Sequence, residues 1–241
     1  MTTESENESV RSERAATDES VQSELAVEAR RLLTRYVVEV VLPLGLCPWA
    51  AGSLSSGKLL IEPICAGFFE ELSASRAAAL TQEVLVAATR DERIELVMIP
   101  FPGLRMNRVE FDEVARSVRK LDREGRFALA AFHPEGVPSI TSADQAVTFL
   151  RRSPDPMLQA VRSDVISRIN PGLGEGTSFA SALEIASLLA QEPKESLRSR
   201  ILGANWATLK RLGVEDVGAK IISIHEDRDA TYQRIAGRGD A

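Results

Sequence analysis

The chain has 241 residues, 44% hydrophobic and 5% aromatic, with a formal net charge of −6. That is enough apolar content for the core of one ordinary domain or two small ones. The few aromatics and the lack of a basic stripe argue against a nucleic-acid platform. No uninterrupted apolar run approaches the roughly 20 residues of a membrane span; the best, YVVEVVLPLGLCPWAAG, contains Glu39 and two prolines.

Six acidic groups and only Arg11 and Arg14 lie in residues 1–20, which are also rich in Ser and Thr. Such a segment has nothing to bury and is expected to be a disordered acidic tail. There is no signal-peptide pattern, and two cysteines cannot build a disulfide framework. Both features point to a soluble protein of a reducing, cytoplasmic compartment, with no membrane partner.

From Ser23 to Leu42, Leu25, Ala26, Ala29, Leu32, Leu33, Tyr36, Val37, Val40 and Val41 fall on one helical face. Pro43 and Gly45 end that helix. KLLIEPI (58–64), IELVMIPF (94–101) and RFALAAFHP (126–134) read as strands. Residues 70–90 and 109–125 read as the helices between them, with Leu72, Ala79, Leu80, Val84 and Ala87 or Ala88 inward in the first. Phe111, Val114, Val118 and Leu121 face inward in the second. The alternation predicts an α/β fold: a small, mostly parallel sheet of three to four strands, β-α-β-α-β, with flanking helices.

The C-terminal half reads as mostly helical. A helix starts behind Ser142, another runs from about Pro156 to Ile169, and others cover 178–192 and 194–213. NPGLGEG between them is a linker without the Lys-Ser/Thr of a phosphate loop. GAKIISIH (218–225) is expected to be a fourth strand. Residues 21–213 are expected to form one α/β domain, followed by a C-terminal extension over 214–241.

Ligands of open parallel sheets bind outside the carboxyl ends of the strands. His133 ends the third strand and is the side chain most easily tuned as an acid or base near neutrality. In Arg151-Arg152-Ser153-Pro154-Asp155-Pro156, Ser153 or Asp155 caps the expected helix, and Arg152 beside its N-terminus makes an anion site. Cys47 follows a helix end; it is a thiolate if His133 or Arg152 lies near it, and otherwise a small buried hydrophobe. Cys47, Cys65, His133 and His225 lack metal-site spacing, so no metal is assigned, and no cofactor is indicated.

Four segments together resemble one family. They are ARRLLTRYVVEVVLPLGLCPWA, AAFHP, RRSPDPMLQAVR and NWATLKRLG, and they resemble, in order, motifs of the bacterial family called domain of unknown function 1415. The resemblance places Cys47, Pro48, His133, Pro134, Arg152, Ser153, Pro154 and Pro156 on the family pattern and implies no established reaction. Residues 171–193 look like an insertion.

Three readings follow. The first is a small-molecule enzyme, with Cys47 as nucleophile or redox thiol, His133 as its base, and Arg152 with Ser153 holding an anionic group. The second is a non-catalytic module that binds a phosphate compound or nucleotide. The third is an interaction protein that uses its terminal segments.

Overall fold

No glycine or proline occurs between Thr3 and Leu42, and a helix runs almost that far. The computed structural model describes residues 3–45, 47, 49–136, 140, 143–169 and 197–239. Helix α1 spans Thr3–Tyr36 and passes into a π-helical turn, Val37–Val41, before Pro43 stops it. The helix thus begins at Thr3, where a disordered tail was expected. Glu, Arg, Ala and Gln are good helix formers, and nothing in the stretch breaks the pattern. Leu25, Ala29, Leu32, Leu33, Tyr36, Val37, Val40 and Val41 are all buried, as the helical spacing predicts.

The remaining elements are α2 (Ala50–Ser55), β1 (Leu59–Ile61), α3 (Ala66–Phe69), α4 (Ala74–Thr89), β2 (Leu96–Pro100) and α5 (Arg108–Leu121). They continue as β3 (Phe127–Phe132), α6 (Ala143–Leu150), β4 (Met157–Arg162), α7 (Ser163–Ile169), α8 (Leu197–Leu212) and α9 (Val214–Gly239). Capping explains two starts: Ser73 accepts from the Arg76 N–H, and Asn107 forms a capping box with Glu110.

The fold is α/β, with its four described strands in the order β1-β2-β4-β3. The three strands expected from the sequence are present and point the same way, but the sheet is mixed rather than mostly parallel. β1 pairs parallel with β2, and β4 lies between β2 and β3, antiparallel to both. β4 falls where a helix from Pro156 was expected. A central strand is buried on both faces, so MLQAVR is an apolar run whose periodicity does not separate strand from helix. A helix does follow, as α7.

The expected strand over 218–225 is instead part of α9. Val217, Ile221, Ile224, Tyr232 and Ile235 are buried at helical spacing, which the short window GAKIISIH hides. The inward face of α4 is partly as expected: Leu72 just ahead of it and Ala88 are buried, and Leu80 and Val84 pack against the same layer, but Ala77, Ala78, Thr81 and Leu85 are its other buried positions. The small side chains let this helix sit close to its neighbours. Leu121, expected inward on α5, is exposed. The expected helix 178–192, the loop NPGLGEG and the insertion 171–193 lie outside the described residues.

The sheet separates two apolar layers. Leu96, Met98, Phe132, Met157 and Val161 face the end of α1, the π turn, α6 and α9. Val97, Ile99, Leu158 and Ala160 face α4 and α5. α9 packs along α1, where Arg31 and Arg35 share Asp227 and Arg234 reaches Glu24. Among the described residues no helix is long and apolar enough to cross a membrane.

Candidate functional site

An antiparallel strand inserted among parallel ones begins where the others end. Pro100, Phe132 and Met157 therefore stand side by side in the register. The carboxyl ends of β2 and β3 and the entry to β4 form one rim, and Arg151–Pro156 runs along it as an irregular strap.

α9 holds that strap with three side chains at i, i+3 and i+7 of one helical face. His225 Nε2 donates to the Ser153 carbonyl at 3.1 Å. Arg228 donates to the Pro154 carbonyl. The Tyr232 hydroxyl donates to Asp155 Oδ2 at 2.8 Å. Within the strap, Ser153 Oγ donates to the Asp155 carbonyl at 2.5 Å. The Ser153, Pro154 and Asp155 carbonyls of this non-regular segment thus each meet a partner, as a buried loop requires.

Asp155 is the unusual group. It is 2% exposed, and burial pushes its carboxyl pKa up to about 6 against the opposing pull of Tyr232, Arg228 and the Gly103 N–H. The Arg228 guanidinium is itself held by Asp229, at 2.8 Å from Nε. Asp155 and Tyr232 line a pocket of about 510 Å³ together with Arg105, Asn107, His133 and Arg228. Arg105 is exposed there.

His133 stands at the end of β3, where the strand-end rule puts it, with its ring against Phe111. Nε2 lies 3.0 Å from the Met106 carbonyl, which can only accept, so Nε2 carries the proton. Nδ1 accepts from the Glu135 N–H at 3.2 Å. Both nitrogens are engaged by backbone, and burial lowers the pKa, so the ring is neutral.

Cys47 does not meet His133. It is 6% exposed, in the layer with Tyr36, Phe132 and Met157. His133, one residue beyond Phe132, points to the opposite face of the sheet, against Phe111. The Trp49 and Ala50 N–H groups and the Gln159 side chain pull the Cys47 thiol pKa down, but burial outweighs them and raises it; the Ala50 N–H itself donates to the Cys47 carbonyl at 3.2 Å. Gln159, on the middle of that sheet face, keeps an unpaired carbonyl oxygen.

The other two expected site residues hold structure. Ser153 is buried in the strap, and β4 rather than a helix follows, so no helix N-terminus accompanies Arg152. The Arg152 guanidinium lies over the Phe149 ring at 4.4 Å and donates to the Phe149 carbonyl at 3.3 Å. Burial lowers its pKa. Among the described residues no three His, Cys, Asp or Glu side chains gather as a metal site.

Asp155 was legible only as a helix cap, and Tyr232 and Arg228 not at all. The signal for them is the i, i+3, i+7 spacing of His225, Arg228 and Tyr232, visible once 214–239 is read as one helix.

The profile of the family described as a protein of unknown function, DUF1415, matches residues 28–175. The chain belongs to that family. Cys47, His133 and the strap lie inside the matched span, whereas α9 lies beyond it. No curated protein matches the chain, and no solved structure does.

Proposed function

We propose that this family member acts on a small polar molecule held at the rim, with Asp155 as the proton-transfer group. The observation that carries the reading is a buried carboxyl on the wall of a 510 Å³ pocket at the carboxyl ends of the strands. A carboxyl poised near 6 can give up or take a proton close to neutral pH, and the Tyr232 hydroxyl orients it. Arg105, exposed in the same pocket, suits an anionic group on the substrate.

In this reading Cys47 is a packing residue, and His133 shapes the pocket as a neutral donor rather than as a base. Two buried free cysteines are compatible with a reducing, cytoplasmic setting.

The non-catalytic alternative, a binding module for an anionic metabolite, is favoured by the full engagement of His133. One experiment separates the two. A panel of carboxylate and phosphate metabolites is incubated with the full chain and followed by ligand-detected NMR. Catalysis predicts conversion of a bound compound, with Asp155→Asn retaining binding and losing turnover. Binding without conversion of any compound favours the module. No binding to the wild-type chain, or binding unchanged by Arg105→Ala, counts against a site at this rim.

A further inference from the structure

A second cleft lies over the edge of β3, which no other described strand covers, and it adjoins the Asp155 pocket, with His133 and Glu135 bordering both. Its floor is the strand edge, one wall is α5, and Arg151 at the end of α6 faces it; it measures about 370 Å³. β4 bonds toward β2 through Pro156 and Arg162, which accept from Phe101 N–H and donate to the Glu95 carbonyl, respectively. The alternation of an antiparallel ladder then turns the backbone groups of Phe127, Leu129 and Ala131 away from β4, toward the open edge.

That edge is largely covered. The Phe127 N–H donates to Asp122, Arg119 donates to the Leu129 carbonyl at 3.0 Å, and the His133 N–H donates to the Arg151 carbonyl. Among the described residues, the N–H groups of Leu129 and Ala131 and one carbonyl beside the cleft make no bond across that edge. This is too short a run to add a strand, and the two donors stand about 6.6 Å apart, so they suit two separate oxygens of an extended anion such as a diphosphate.

The surrounding charge matches. Arg108, Arg116 and Arg119 line the cleft from one face of α5, and Arg151 lines it from the other side. Asp112 and Glu135 are the acidic lining residues and Glu113 pairs with Arg116, so four guanidinium groups stand against three carboxylates. This is a local excess of positive charge on a chain of net charge −6. Arg116 also pairs with Glu113 at 2.6 Å, and Glu135 accepts from the Arg108 N–H. Apolar surface from Phe111 and Ala115 completes the walls.

We propose that this cleft binds a small molecule through a phosphate group, held by the arginines and by the free N–H groups of β3. Asp155 does not line this cleft, although His133 and Glu135 border both sites. Fork-shaped guanidinium groups suit phosphate oxygens better than single charges do.

The test is calorimetric titration of the full chain with inorganic pyrophosphate and with a nucleoside diphosphate, each compared with sulfate at matched ionic strength. Saturable binding of a phosphate probe over sulfate is expected, weakened roughly tenfold or more in Arg108→Ala and again in Arg151→Ala. Tighter nucleoside diphosphate than pyrophosphate assigns the apolar wall to the rest of the ligand. The reverse order assigns the site to the phosphates alone. Arg108→Ala carries little folding risk, because only the Arg108 main chain is bonded to Glu135. The proposal is overturned if no phosphate probe binds, if sulfate binds equally, or if both variants bind as the wild type does.

Discussion

Tyr232 donates a 2.8 Å hydrogen bond to Asp155, joining the last helix to the strap that opens β4. A tyrosine hydroxyl can donate to a carboxylate, and it can equally accept from a protonated carboxyl. The pair therefore survives titration of Asp155, while the cost of charging a buried group does not disappear.

That cost has a sign. Folding raises the Asp155 pKa from 3.8 to about 6, so the folded chain favours the neutral acid. The associated stability is complete below 3.8 and is lost as pH rises through 6, by roughly 3 kcal/mol in all. Melting temperature followed from pH 4 to 7.5 should therefore fall more steeply in the wild type than in Asp155→Asn. Parallel profiles for the two proteins would remove Asp155 as a titrating buried group.

Asp227 behaves in the opposite way. Hydrogen bonds from Arg31 and then Arg35 hold its carboxyl down at about 2. The stability it contributes is present above the unfolded value near 3.9 and is lost as pH falls through 2. The pair is partly exposed, with Arg31 at 44%, so solvent screening leaves roughly 0.5–1 kcal/mol. Asp227→Asn should lower urea stability by about that amount at pH 7. The difference should shrink in 1 M salt and fall away as pH drops through 2. A loss that is indifferent to salt would point to packing of α9 instead of charge.

Arg162 closes the other end of β4. It donates from Nε to the Ile94 carbonyl at 2.5 Å and from Nη2 to Ala88 and Asp91 at 3.0 and 2.9 Å. The Ala88 and Asp91 carbonyls already accept from backbone N–H groups, and this planar fork adds a charged donor to their second lone pairs while tying the end of α4 to the start of β2. Arg162→Ala should cost about 2–3 kcal/mol in chemical denaturation. Arg162→Lys should recover only a minor part, because one ammonium cannot span the carbonyls. Full rescue by lysine would mean that charge alone matters.

These residues show what the sequence carries and what it hides. β1, β2 and β3 were legible because apolar runs alternate with helices. His133 was correctly placed at a strand end for the same reason. β4 was not legible, since a strand buried on both faces has no period of two, and Pro156 is equally at home before a helix. α9 was misread because Ile221, Ile222 and Ile224 resemble a strand until the window reaches Tyr232 and Ile235. The proposed Cys47–His133 pair depended on which face of the sheet each residue takes. A single-residue shift at Phe132–His133 decides that, and motif spacing does not encode it.

The thiols can be tested directly. Burial raises the pKa of Cys47 and pushes that of Cys65 up to about 12. Thiolate is the reactive form, so both should resist iodoacetamide at pH 7.5 in the folded chain and react on unfolding in guanidinium. Rapid alkylation of Cys47 in the folded protein would restore the nucleophile reading, with its activation coming from the Trp49 and Ala50 N–H groups instead of from His133.

Gln159 supplies the sharpest contrast between packing and purpose. Its side chain is 7% exposed among Met98, Ala130 and Cys47, and its carbonyl oxygen has no partner. An unmet buried acceptor costs about 1–3 kcal/mol, whereas the bond its amide makes to the Cys47 sulfur is a weak one. Leucine has similar volume and needs no partner. Gln159→Leu is therefore expected to be neutral or to raise stability by about 1 kcal/mol in urea unfolding. Gln159→Ala should lose roughly 2 kcal/mol or more to the cavity it leaves. If leucine destabilises as much as alanine does, the carboxamide has a partner in solution, and ordered water between it and the Trp49 indole N–H, also unpaired, is the first place to look.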